Sequence, residues 1–213
     1  MMQVLTMLCC CRHLRCGHQR AMQELQRSGR VRAIGVSNFT ISHLTELIED
    51  PGTHVTPAVN QVEFHPLLYS VQRPLLEFCR EHGIVLQAYA PLGSADGVSH
   101  VLSHPTVTAI STKHRVTAAE VVLRWALDHG VSVLPKSSNP ERIRANAAPS
   151  LFSARCLQPV GIQTGKQSND PGGCGWVLSK EDVEALDAVS AISTDPDGGG
   201  GPKRFCWDPS NIR

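Results

Sequence analysis

The sequence predicts an α/β fold of about four parallel strands with flanking helices, and three observations carry that expectation. Short apolar runs alternate with amphipathic helical periods across residues 21–147, which calls for parallel strands joined by helical crossovers. Each apolar run ends in polar or special residues: Ser37-Asn38, Gln61 to His65, Tyr89 to Ser94, and Lys136-Ser137. In a (β/α)8 barrel the carboxyl ends of the strands form the working face, so the layout reads as a partial (β/α)8 TIM barrel. A doubly wound open sheet competes with it, but the G-x-G-x-x-G turn that usually marks that layout is absent.

Taken in order, AMQELQRSGR (21–30) reads as a helix stopped by Gly29, and VRAIGVSN (31–38) as a buried strand. Thr40 supplies an N-cap for ISHLTELIED, and Pro51-Gly52 stops that helix. AVNQVEF (58–64) is a strand followed by Pro66. VQRPLLEFCREHG (71–83) has helical spacing and a terminal glycine, and IVLQAYAPLG (84–93) is the third strand. A helix covers part of 101–114, and TAAEVVLRWALDHG (117–130) is a stronger one, with Thr117 and Glu120 spaced as a capping box. VSVLPKS (131–137) is the fourth strand, and NPERIRAN opens a helix with proline in its first turn.

Outside 21–147 the pattern changes. Residues 1–20 read as a disordered tail, 148–175 as an irregular insert rich in Gly, Pro, Ser and Gln, and 176–213 as a final helix over 178–192 plus a C-terminal loop. The whole chain has 213 residues and a net charge of +1, which offers no broad field for nucleic acid or an anionic membrane. No window approaches the ~20 apolar residues of a membrane span, and the first residues lack the basic start and cleavage site of a signal peptide. The eight cysteines, four of them at Cys9, Cys10, Cys11 and Cys16, show no regular framework and read as reduced thiols of a cytoplasmic protein. Cys11, Cys16 and His18 lack a second ligand pair at finger-like spacing, so no metal site is expected.

The stretch VLPKSSNPERIRAN (133–146) raises the question of function. A point charge at Lys136, hydroxyls at Ser137 and Ser138, a guanidinium at Arg142 and helix-start amides together suit a phosphate monoester. A solvated basic helix start is the plainer reading of the same residues. Asn38 and Gln61 end apolar strands, where they cap loops or bind a ligand amide. Tyr89 is core or a stacking surface, and His65 before Pro66 shapes a loop.

VRAIGVSNF, PAVNQVEFHP, QAYAPLGS, LPKSSNPERI and RFCWDP, in this order and spacing, resemble the second half of an aldo-keto reductase. The resemblance runs from about Ala21 to Asn146 and resumes at about Trp176. It implies a (β/α)8 barrel that binds NADPH along the strand ends and reduces small aldehydes or ketones by hydride transfer. On that resemblance Ser37, Asn38 and Gln61 meet the nicotinamide carboxamide, and Tyr89 stacks on the ring. Pro91, Leu92 and Ser94 lie along the pyrophosphate. Lys136, Ser137, Ser138 and Arg142 cradle the 2′-phosphate, and Asn146 meets the adenine. Ala145 departs from the acidic residue that the family often has there. Trp207 is placed in the C-terminal loop, lining a substrate pocket or packing.

The family's tyrosine acid, with the lysine, aspartate and histidine that serve it, comes from the first four strands and their loops. No counterpart of that set is found, and neither of the two tyrosines, Tyr69 and Tyr89, suits the acid. The expectation is a truncated, catalytically impaired oxidoreductase, or else a non-catalytic relic that binds nucleotide or a partner. Such a half barrel has open sheet edges through which it would self-associate. An incomplete gene model or splice product would explain both the start (1–20) and the insert (148–175).

Overall fold

The structure, a computed structural model, describes residues 4–7, 12–147, 176–190 and 202–206. Its five strands are β1 (Val4–Met7), β2 (Ala33–Ser37), β3 (Val59–Glu63), β4 (Val85–Tyr89) and β5 (Ser132–Leu134). Eight helices accompany them among the described residues: α1 (Arg12–Arg27), α2 (Ile41–Glu49), α3 (Tyr69–Glu81), α4 (Ser94–Leu102), α5 (Pro105–His114), α6 (Ala118–Asp128), α7 (Pro140–Asn146) and α8 (Lys180–Asp187). The four predicted strands are all present. A fifth, β1, lies within 1–20, where a tail is expected, and α1 starts nine residues before Ala21, at Arg12.

Strand order in the sheet follows chain order, β1-β2-β3-β4-β5. The β1–β2 and β2–β3 ladders are parallel, with Val4 opposite Ala33 and Ser37 opposite Gln61. A doubly wound sheet reverses its strand order at a switch point. This one does not reverse, which decides between the two layouts that the alternation alone leaves open.

The chain divides into two compact units. Unit 1 contains Met1–Glu63, Gln72–Gln87 and Cys206–Arg213; unit 2 contains Phe64–Val71 and Ala88–Phe205. In unit 1, Ile34 and Val36 of β2, Leu44 and Leu47 of α2, and Leu86 of β4 are fully buried. Gly29 and Gly83 take φ of 73° and 69° after α1 and α3, the left-handed turn that lets a helix hand over to a strand. The Thr40 hydroxyl caps α2 through the His43 amide. In unit 2, α6 is buried from Val121 to Leu127 and forms the centre of the core. Trp125 stacks on Phe64 at 5.1 Å and meets Tyr69 edge-on at 5.3 Å. Thr117 and Glu120 form the predicted capping box at its start.

Helix α8 is held to α5 and α6 by two carboxylates. Asp182 accepts from Lys113 Nζ at 2.8 and 3.0 Å and from His114 Nε2 at 2.8 Å. Asp187 accepts from Trp125 Nε1 and His129 Nε2, both at 2.8 Å. Burial pushes the Asp182 carboxyl up, but hydrogen bonds from Lys113, His114 and Ser179 outweigh it and hold the group well below the usual carboxylate range.

Candidate cofactor site

Sequence reasoning singles out residues at strand ends, and the structure sets them in two groups, one in each unit, with Ser37 and Tyr89 at strand ends but Gln61 inside β3, which runs on to Glu63. In unit 1, Ser37 ends β2 and Gln61 lies at the middle of β3. The Gln61 carbonyl accepts from Ser37 Oγ at 2.9 Å and from the Asn38 amide at 2.9 Å. Asn38 turns the chain out of β2 with φ 57°, a left-handed conformation that asparagine tolerates better than most residues. Its backbone is thus held rigidly while Gln61 keeps a partly exposed amide. Gln61 Nε2 donates to Gln87 Oε1 at 2.6 Å. Ser37, Asn38 and Gln61 therefore do come together.

Two polar residues that sequence reasoning passed over complete this corner. Asn60 is fully buried, donates to the Phe39 carbonyl at 2.9 Å and accepts from the Phe39 amide at 3.3 Å. It fixes the chain just beyond Asn38. Gln87 orients the Gln61 amide, and a polar residue two positions before Tyr89 on a short strand was its one sequence signal. The buried Cys79 thiol is pushed up to about 11 by burial, against a hydrogen bond to Asn60. Such a thiol is a packing group rather than a nucleophile.

In unit 2, Tyr89 ends β4 and is half-buried. The chain then makes a tight turn in which the Gly93 amide donates to the Ala90 carbonyl at 2.8 Å. Ala90, Gly93 and Ser94 have φ of 46°, 92° and 57°. Of the four described non-glycine residues with positive φ, three (Asn38, Ala90 and Ser94) lie in these two strand-end turns. Backbone strain of that kind persists where the surroundings impose it, and it concentrates at ligand sites. Pro91 is buried, and Leu92, like Val133 and Trp176, packs against the buried pair Leu123 and Leu127. Leu92 thereby anchors the turn by its side chain.

The cationic corner follows β5. Lys136, Ser138 and Arg142 are exposed, and Ser137 and Asn146 half-exposed. Ser137 Oγ accepts from the Asn139 amide at 3.1 Å. Asn139 Oδ1 accepts from the Glu141 and Arg142 amides at 2.9 and 3.1 Å. The helix-start amides expected to face a phosphate are thus already satisfied by the Asn139 cap, which sequence reasoning overlooked. The corner keeps two exposed cations and the Ser138 hydroxyl, set on a short, capped helix.

Trp207, the 148–175 insert and the C-terminal loop beyond Cys206 lie outside the described residues, as do the side chains of Cys9, Cys10, Cys11 and Cys16. Among the described residues no group of three His, Cys, Asp or Glu side chains gathers to hold a metal ion, and no helix is long and apolar enough to cross a membrane. Tyr69, 7% exposed, is packed among Phe64, Trp125 and His129.

A singly wound parallel sheet of five strands with flanking helices and constrained turns after β2 and β4 is the architecture of part of a (β/α)8 barrel. The match to known proteins is more specific. The model of the Aldo/keto reductase family matches residues 16–154, and the chain belongs to that family. Glycerol 2-dehydrogenase (NADP(+)) of Saccharomyces cerevisiae is 47% identical over 125 residues, which are 59% of this chain and 39% of that protein. Glyoxal reductase of Bacillus subtilis is 44% identical over 171 residues, 80% of this chain and 50% of that protein. Among solved structures, a Gox0644 mutant in complex with NADPH aligns with TM-score 0.72 and 31% identity, over 99% of this chain and 64% of that one. The aldo-keto reductase MGS-M4 from a deep-sea metagenome library aligns with TM-score 0.68 and 29% identity, over 88% and 58%. The chain spans half or less of the length of these curated relatives.

Proposed function

We propose that this chain binds NADP(H) in the manner of an aldo-keto reductase and that, by itself, it turns over carbonyl substrates poorly or not at all. The observation that carries the first half is the corner after β5. Lys136 and Arg142 are exposed cations on a turn whose shape is locked by Ser137 and Asn139. A guanidinium and an ammonium suit the dianionic 2′-phosphate that distinguishes NADPH from NADH. With the α7 amides committed to Asn139, the charge of these side chains becomes the main source of selectivity.

The other residues take their proposed roles from the family's way of binding the dinucleotide. Ser37, Asn38 and Gln61 would hold the nicotinamide carboxamide, Tyr89 the ring face, and Pro91, Leu92 and Ser94 the pyrophosphate, with Asn146 at the adenine. When bound, the dinucleotide supplies a hydride, and the small aldehyde or ketone that accepts it becomes an alkoxide. That alkoxide needs a proton donor aimed at its oxygen. Tyr69 is sealed among aromatic rings and Tyr89 is assigned to stacking, so neither phenol serves.

Titration of the protein with NADPH and NADH, followed by nicotinamide fluorescence, tests the reading. The parent protein is expected to prefer NADPH. Arg142→Ala should weaken NADPH by about tenfold, the loss of one charge-assisted contact of ~1.4 kcal/mol, and leave NADH unchanged. Equal losses for the two dinucleotides would refute the cradle. With a nitrobenzaldehyde present no steady oxidation of NADPH is expected; brisk steady turnover by the parent protein would refute the catalytic half, and its loss in Tyr69→Phe or Tyr89→Phe would show that a phenol serves as the acid after all.

A further inference from the structure

The short segment 202–206 lies against α4, and the contact depends on two glycines. The Phe205 ring sits on Gly97 so closely that a Cβ there would overlap the ring, with Cε2 at 2.6 Å. The same ring stacks on His100 at 5.7 Å and an interplanar angle of 15°, and lies 5.5 Å from His65. The Lys203 amide donates to the Leu67 carbonyl at 2.9 Å, which fixes the segment two residues earlier.

Gly93 occupies the other side of this arrangement. It is the N-cap of α4 and closes the turn that begins at Ala90. A Cβ at Gly93 would lie 2.7 Å from the Gly97 carbonyl carbon and oxygen and 2.8 Å from Val101 Cγ2. The turn thus closes on the backbone of the first turn of α4 and on Val101, and the aromatic ring closes on the same helix at Gly97. Glycine is a poor choice inside a helix, costing about 0.5–1 kcal/mol against alanine. Its presence at 97 is accounted for by the ring that it admits.

We propose that Phe205 is a positioning residue for the dinucleotide: pressing on Gly97, it holds α4 against the Ala90–Ser94 turn that runs along the pyrophosphate. The assignment rests on the cofactor reading given above, because it is that reading which sets the pyrophosphate on this turn. The strained Ala90, Gly93 and Ser94 backbone is preorganised only while α4 is pinned. Loss of the ring frees the turn, and the ligand must then order it again on binding. A pyrophosphate contact is common to both dinucleotides, so the effect is blind to the 2′-phosphate.

Hydrogen exchange and titration together test this. In the ligand-free protein, Phe205→Ala should speed amide exchange over residues 90–97 several-fold and leave α2 and α6 as they are. The same substitution should weaken NADPH and NADH by one common factor of about five, unlike Arg142→Ala, which singles out NADPH. Phe205→Tyr should restore both readouts, and Gly97→Ala should reproduce the Phe205→Ala pattern by expelling the ring. Exchange at 90–97 unchanged in Phe205→Ala overturns the proposal whatever happens to the nucleotide, as does a loss confined to NADPH. A parent protein that binds neither dinucleotide overturns the functional reading, and with it the role in cofactor binding given to Phe205, even if the exchange result stands.

Discussion

Asp182→Asn probes the link between α8 and its neighbours. The Asp182 side chain is 7% exposed, and its two oxygens accept from Lys113, His114 and the Ser179 amide. Hydrogen bonds to a charged group contribute about 1.5–3 kcal/mol each when buried. Lys113 is 55% exposed, so its ammonium returns to water with little loss. His114, at 16%, and the Ser179 amide are not so easily resolvated. Asparagine keeps the shape and one acceptor oxygen, which leaves an expected loss of roughly 2–3 kcal/mol. For a chain of this size ~1 kcal/mol moves the midpoint by about 2–4 °C, so thermal unfolding should shift down by roughly 4–12 °C.

The sign of the pH dependence follows from the depressed pKa. A carboxyl that binds its proton less readily when folded contributes stability in full above the ordinary carboxylate value of 3.8 and loses it as pH falls below that value. Unfolding midpoints recorded by circular dichroism from pH 7 down to pH 3 should therefore show an acid limb in the parent that is shallower in Asp182→Asn. Lys113→Met should cost no more than about 1 kcal/mol, because the partner it removes is the exposed one. Equal losses for Lys113→Met and Asp182→Asn, or an acid limb that Asp182→Asn leaves unaltered, would refute the reasoning.

Other outcomes follow from single features. The Cys79 pKa is raised from 9.0 to about 11, so stability should be full below pH 9 and decline between pH 9 and about 11 as the unfolded thiol ionises first, measurable by urea unfolding. In the folded protein iodoacetamide at pH 8 should label the exposed Cys206 and spare Cys79, read by peptide mapping. Gly93→Ala combines a φ of 92° with contacts of 2.7 Å to backbone and should destabilise by about 2–4 kcal/mol in chemical denaturation. Thr117→Ala removes one side of the α6 capping box and should cost ~1 kcal/mol in the same assay.

Local signals made much of this fold legible. Helices α2, α6 and α8 announce themselves by Thr40, by Thr117 with Glu120 and by Ser179 with Asp182, because a cap is chemistry between residues three apart. The strands were legible as apolar runs, and the polar residues that close them mark the candidate site. What escaped was set by contacts distant in sequence. Helix α4, SADGVSHVL, carries serine, aspartate and glycine where a helix ordinarily has better formers, and it is held from outside by the Phe205 ring. Strand β1 is four residues long, too short for its period to be read, and its existence depends on the ladder that Ala33 to Val36 offer.

Asn139 is the most instructive of these misses, since it was visible within VLPKSSNPERI and still went unweighed. The sequence reading credited the α7 amides to a phosphate, on the sound rule that helix starts attract anions. Asparagine before proline is equally a strong cap, and the cap takes the Glu141 and Arg142 amides for itself. The two readings compete for the same donors, and only side-chain placement decides between them. With those amides committed, the proposed cradle is left to select the extra phosphate through Lys136 and Arg142, and this is why the loss on Arg142→Ala should fall on NADPH alone.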